Sequence, residues 1–317
     1  MTRLGYQIPN FSYPDSAPDQ LFPTVVRQAR EAEASGFDTV LVMDHFYQLA
    51  MIGSPDQPML ECYTLLSALS QHTERVRLSA LVTGNTYRNP TLLAKEVTAL
   101  DVVSGGRAQL GIGAGWFELE HNSLGYEFDT FTERFEKLEE SLQILTGMLR
   151  GENPSLEGKY YTVHDAMNHP APLSPIPVLI GGAGEKKTLR LVAQYGDESN
   201  LICAPDEIPR KLDALAGHCE RLGRDRSEIT VSIQASACIA PTHEQAQQEF
   251  DAFVADHPEA GQRAGSVLIG DSSEVAAGVQ SLLDRGVDGV TVNLIANGHV
   301  EGRVTQLGEA LAPLNQS

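Results

Sequence analysis

The run Val40-Leu41-Val42-Met43-Asp44-His45 is an apolar strand that stops abruptly in an acid and an imidazole. A strand of that kind presents chemistry at its carboxyl end, where barrels of parallel strands carry their active sites. Three further apolar runs finish in comparable tips: Leu78 to Thr83 before Gly84-Asn85, Ala108 to Gly113 before Ala114-Gly115-Trp116, and Pro177 to Ile180 before Gly181-Gly182. Converging on one face, these tips would form a cofactor pocket.

Outward from that stretch, short apolar runs alternate with longer amphipathic ones, the rhythm of βα units feeding a parallel sheet. The strands read as Leu4 to Ile8, Thr39 to Met43, Val76 to Val82, Ala108 to Ile112, Val178 to Ile180, Asn200 to Cys203, Ile229 to Ile239 and Val290 to Ile295. Between them lie helical signals. Asp19 to Ser35 is closed by Gly36, Pro90 suits a first helical turn, and Thr130-Phe131-Thr132-Glu133 is a capping-box pattern. Eight strands each flanked by a helix predict an α/β chain closed as a (β/α)8 TIM barrel, one domain over residues 1–317. The stretch 151–176, with Pro154, Pro170, Pro172 and Pro175 and no helical period, reads as an insertion that crosses the surface or covers the pocket. The rival is an open doubly wound sheet. Against it, no Gly-x-Gly-x-x-Gly follows the first strand, and Gly111-Ile112-Gly113-Ala114-Gly115 comes after the fourth without a third glycine in register.

A formal net charge of −19 disfavours a nucleic-acid or anionic-membrane surface, both of which call for clustered positive charge. No apolar run approaches the ~18 residues that span a bilayer, and the N-terminus lacks a signal-peptide core. The expectation is a cytoplasmic protein acting on a small molecule. Cys62, Cys203, Cys219 and Cys238 are far apart, so no metal site is expected.

Each motif has a plain and a functional reading. Gly181-Gly182-Ala183-Gly184, followed by Glu185-Lys186-Lys187-Thr188, joins the fifth strand to its helix. Small residues there let backbone N–H groups approach a phosphate, with Lys186, Lys187 or Arg190 adding local positive charge; the plain reading is a tight turn that needs glycine. Asp44-His45 supplies a carboxylate and a group that exchanges protons near neutrality, or a histidine that merely bonds a loop. Thr83-Gly84-Asn85-Thr86 suits hydrogen bonds to a planar heterocycle or a polyol, or simply opens the next helix. Trp116, the only tryptophan, walls a flat ligand or fills the core.

Taken together, the tips resemble the luciferase-like monooxygenase superfamily, and within it the oxidoreductases that use the deazaflavin coenzyme F420. The supporting stretches are Ala32-Glu33-Ala34-Ser35-Gly36-Phe37-Asp38 leading to Met43-Asp44-His45-Phe46, Thr83 through Pro90, Leu100-Asp101 through Ser104-Gly105-Gly106-Arg107, Leu110 through Trp116, and Ile180-Gly181-Gly182. The resemblance implies a bacterial luciferase-like barrel, with the cofactor ring at the strand ends and its phosphate on Gly181, Gly182, Ala183 and Gly184 beside Lys186. It implies a non-prolyl cis peptide near Ala80-Leu81 under the ring. Asp44 would bond the ring, His45 would be the catalytic residue facing its reactive carbon, and Thr83 and Asn85 would touch the ring or its side chain. Tyr47 and Trp116 would line the substrate pocket, and a homodimer is expected. Trp116 stands where the family's sugar-phosphate dehydrogenases carry a proton-transferring glutamate, which speaks against glucose 6-phosphate. Asp197-Glu198-Ser199-Asn200 departs from the family's usual Asp-Gly-Trp or Asp-Gly-Phe, placing that loop's cofactor contact in question. The implied activity is hydride transfer between F420 and a small organic substrate. The alternatives are a monooxygenase using FMN and a cofactor-binding protein without turnover.

Overall fold

A computed structural model of the chain describes residues 2–14, 17–262 and 264–316. Eight parallel strands close on themselves: β1 (Arg3–Ile8), β2 (Thr39–Val42), β3 (Arg77–Ala80), β4 (Ala108–Gly113), β5 (Val178–Gly181), β6 (Glu198–Leu201), β7 (Thr230–Ile239) and β8 (Gly289–Leu294). Each pairs with the next, and β8 returns to β1 with Leu4 opposite Val290. The closed ring settles the topology against an open sheet. The sixth strand lies earlier than the sequence suggests, because Asp197 accepts the Val178 N–H and starts the pairing at Glu198.

Local chemistry explains the helix boundaries. Asn89 caps Pro90–Ser104 by accepting from the Thr91 N–H, and Gly105 ends it with φ of 73°, a left-handed conformation that glycine adopts without a Cβ penalty. Thr130 and Glu133 form the expected capping box on Phe131–Leu149. Two elements between β7 and β8 were not legible as part of the eightfold count: the helix His243–Asp256 and a short strand, Val267–Gly270. That strand pairs outside the ring with the upper end of β7, which at ten residues outruns its neighbours.

The strands alternate sharply. One face, with Leu4, Tyr6, Ile8, Val40, Val42, Leu78, Ala80, Leu110, Ile112, Val178 and Ile180, packs against the helices in one apolar core. The other face fills the barrel, and there Leu41, Leu81 and Leu179 cluster with Val82 packed against them. Gln7, Ser79, Gln109, Asn200, Thr291 and Asn293 supply much of the remaining lining and are buried. Barrel interiors usually consist of branched aliphatics; this one is largely amide and hydroxyl.

Asn168 bonds Thr98 and the Met148 carbonyl, the Asp101 carboxylate takes the Leu173 and Ser174 N–H groups, and Glu140 takes those of Lys159, Tyr160 and Tyr161. These bonds tie the segment 151–176 to the helices Pro90–Ser104 and Phe131–Leu149.

Candidate functional site

The chain leaves β2 at Val42, and Met43 packs with Leu49 and Ile52 beneath the following loop. Asp44 is buried and fully engaged. Its Oδ2 accepts the Gly84 N–H at 3.0 Å and Arg88 Nη1 at 2.7 Å, while Oδ1 accepts Arg88 Nη2 at 3.0 Å. Arg88 also meets Glu61 and Glu96 and lies over the Tyr63 ring. Burial pushes the Asp44 carboxyl up, and the guanidinium opposes it. Asp44 therefore fastens the tip of β2 to residues 84 and 88; with three donors already on it, the expected bond to a ring is not what its geometry favours.

His45 points the other way. Its Nδ1 lies 2.9 Å from Glu120 Oε2, and its ring meets Trp116 and Phe117 edge-on, with centroids 5.8 and 5.6 Å away. The Glu120 side chain is wholly buried in the short helix Glu118–Leu124, yet it accepts from four groups: His45, the Tyr87 hydroxyl, and the Phe46 and Tyr47 N–H groups at 2.5 and 2.8 Å. Burial raises its pKa, but the His45 bond and charge, Tyr87 and the Tyr47 N–H outweigh this and hold the carboxyl below its ordinary range. A buried carboxylate with this many donors stays ionised.

The other tips share this rim. Gly84, held by Asp44, pairs with Gly113, and the Val82 side chain lies between Gly113 and Gly181. Asp44 and Gly182 thus stand at the same pole of the barrel. The cis peptide is Leu81–Val82, one bond beyond the expected place, where the chain steps out of β3 before Thr83–Gly84 pairs with β4. The Leu81 carbonyl accepts from Gln7 at 3.4 Å, and Gln7 in turn accepts from Gln234 and Asn293, a polar floor under the mouth.

Several expected ligands turn elsewhere. Ala80 packs outward against the helices, and Thr83 Oγ1 is 2.7 Å from the Tyr63 hydroxyl, so neither side chain addresses the mouth. Arg190 is claimed by Glu139, and Asp197 sits at the opposite pole, at the start of β6. Tyr47 contributes its N–H to Glu120.

Other groups are open to a ligand. Asn85 is buried, and its Nδ2 has no partner. Its own N–H is spent on the Gly113 carbonyl. Gly182 has φ of 117°, and a Cβ on Gly181 would come within 2.7 Å of Val82 Cγ1, so the loop is backbone without side chains at these two positions, with the Gly182 N–H bonded to the Asn200 carbonyl. The helix Thr188–Tyr195 that follows has no side-chain cap. Lys186 is exposed, and the Lys187 ammonium lies over the Phe131 and Phe135 rings. Trp116 is 55% exposed and stacked on Phe117, so it does not fill the core.

Sequence reading missed Glu120, Arg88 and the Gln7-Gln234-Asn293 floor. For Glu120 one signal existed: Phe117, Glu120 and His121 fall at i, i+3 and i+4, which places an acid on a buried helical face. Nothing comparable marks Arg88.

The luciferase-like monooxygenase profile matches residues 2–304. An F420-dependent glucose-6-phosphate dehydrogenase of Kineococcus radiotolerans is 29% identical, the alignment covering 98% of this chain and 96% of that protein. An F420-dependent secondary alcohol dehydrogenase in complex with an F420-acetone adduct superposes with a TM-score of 0.81 at 18% identity, covering 98% of this chain and 99% of the other. A riboflavin lyase with modified FMN and riboflavin does so at 0.81 and 15%, covering 99% and 91%. With a profile match running almost end to end over a barrel of this topology, the chain belongs to the luciferase-like monooxygenase family.

Proposed function

We propose that the protein is an oxidoreductase that exchanges a hydride between a deazaflavin of the F420 type and a small organic substrate, with His45 exchanging the accompanying proton. The observation that carries this reading is a titratable imidazole backed by a buried carboxylate, on the same rim as a bare-backbone glycine loop and an unpartnered buried amide. The residues suit a ring-and-phosphate cofactor. Asn85 Nδ2 is a donor without an acceptor, a state that costs about 1–3 kcal/mol unless a ligand relieves it. Gly181 to Gly184 would receive the phosphate at an uncapped helix start, with Lys186 nearby. When bound, the deazaflavin supplies a centre that takes up and gives back a hydride.

The chain's own contribution is orientation, exclusion of water and proton handling. Trp116 and Phe117 flank His45 with apolar surface and restrict water at its ring. That aromatic wall suits an uncharged or flat substrate better than a phosphorylated sugar, and Arg88, the guanidinium behind Asp44, is committed to three carboxylates. FMN would fit the same loop and is the second reading, favoured by the FMN-bearing structural relative.

Replacing His45 with Ala tests the assignment. Turnover should fall by roughly 10²–10⁴-fold, the usual share of a general acid or base, while the titrated cofactor affinity changes less than about threefold. Full activity in the variant would remove His45 from the chemistry. Titrating F420 and FMN separately, by fluorescence and absorbance, divides the two cofactor readings.

A further inference from the structure

We infer that Glu120 is a positioning residue that fixes the proton of His45 on Nδ1 and so leaves Nε2 as the atom that takes a proton from substrate. The argument starts from donors that cannot move. The Phe46 and Tyr47 N–H groups belong to the backbone and both point at Glu120 Oε1, so that position must hold an acceptor. The second oxygen, Oε2, faces His45 Nδ1 at 2.9 Å and the Tyr87 hydroxyl. An ionised carboxylate has no proton to give, so Nδ1 must donate. Neutral His45 is then the Nδ1–H tautomer with a bare Nε2. Protonation at Nε2 gives an imidazolium beside an anion that keeps its charge, and deprotonation restores the same tautomer.

Other charged and titratable groups near His45 do not set this state. The Asp44 carboxylate is turned to Arg88 and Gly84, and the neighbouring His121 uses Nδ1 on the Phe117 carbonyl and Nε2 on Thr86. Tyr87 acts on Glu120 and reaches His45 only through it.

The sharp consequence concerns Glu120→Gln, which keeps the shape and removes one acceptor. The immobile backbone donors force the amide oxygen into the Oε1 position, so the NH₂ faces His45 and Tyr87. Nδ1 must then become an acceptor, and the proton moves to Nε2. One isosteric change therefore flips the tautomer and blocks the atom that should accept.

Nitrogen-15 NMR of the uniformly labelled, cofactor-free protein above pH 8 reads this directly, with the His45→Ala spectrum assigning the resonance. The expected result is Nδ1–H in the wild type and Nε2–H in Glu120→Gln. Nε2–H in the wild type, or an unchanged tautomer in the variant, would overturn the inference. In turnover, which additionally rests on the proposed role of His45, Glu120→Gln should lower kcat at least tenfold with cofactor affinity retained. Should Glu120→Gln fail to fold, Tyr87→Phe decides by the same spectrum: it removes one donor from Glu120 and keeps the His45 contact, so His45 should stay Nδ1–H, and Nε2–H there or in the wild type overturns the inference. A flipped tautomer together with a fully active His45→Ala would refute the proposed function and leave the control by Glu120 standing.

Discussion

Arg88→Met is the perturbation that most directly tests how the rim is held. In the native structure the Arg88 side chain is 8% exposed and the Asp44 side chain 1%, and two hydrogen bonds of 2.7 and 3.0 Å join them. Removing the guanidinium leaves Asp44 a single donor, the Gly84 N–H, and leaves Glu61 and Glu96 without their shared cation. Breaking one side of a buried ion pair costs about 3–5 kcal/mol, because the remaining charge has neither water nor partner. At roughly 2 °C per kcal/mol for a chain of this size, the melting midpoint should fall by about 6–10 °C near pH 8. The loss should depend on pH with a defined sign. Burial already raises the Asp44 carboxyl, and the variant lacks its main opposing influence, so the folded value lies above the unfolded one. A group of that kind supports the fold below its unfolded pKa of about 3.9 and withdraws the support as pH rises through the folded value. The gap between variant and wild type should therefore be small near pH 4 and widen towards pH 8. Thermal melts at fixed ionic strength across that range are the assay. A gap under about 1 kcal/mol at pH 8, or one that does not change with pH, would refute the claim that Arg88 and Asp44 form an essential buried pair.

Gly181→Ala places a methyl 2.7 Å from Val82 Cγ1, so cofactor affinity should drop with a stability loss of about 1–3 kcal/mol from overpacking. Adding Val82→Ala should restore much of both, as measured by cofactor titration and melting. Trp116→Ala removes a 55%-exposed ring; stability should stay within about 0.5 kcal/mol while KM for the substrate rises, so an unchanged KM would take Trp116 out of the substrate pocket. Glu120, held below its ordinary range despite burial, contributes stability that is present above its unfolded pKa of about 4.3 and lost as pH falls through the folded value. Acid denaturation should accordingly separate wild type from Glu120→Gln above pH 5 and bring them together as the pH drops.

What the chain by itself determined is the scaffold and the place of the site. Each βα unit is short-range: an apolar run of period two, a turn rich in glycine or asparagine, and a helix whose cap and apolar stripe lie within a few residues. Asn89-Pro90 and Thr130-Phe131-Thr132-Glu133 are legible because donor and acceptor are two or three positions apart. The tips at Asp44-His45, Gly84-Asn85 and Gly181-Gly182 were legible as tips for the same reason. The partners were not. His45 meets a carboxylate 75 residues later, and Asp44 is claimed by a guanidinium 44 residues later. Neither pairing leaves a mark in local periodicity, since strand ends become neighbours only when the barrel closes. Closure also decided which side chains face the mouth, turning Thr83 and Ala80 away while leaving the Asn85 amide without a partner. Local sequence sets backbone conformation through interactions a few bonds long; charge pairing and pocket lining depend on distances that exist only after eight separate segments have been brought into one ring.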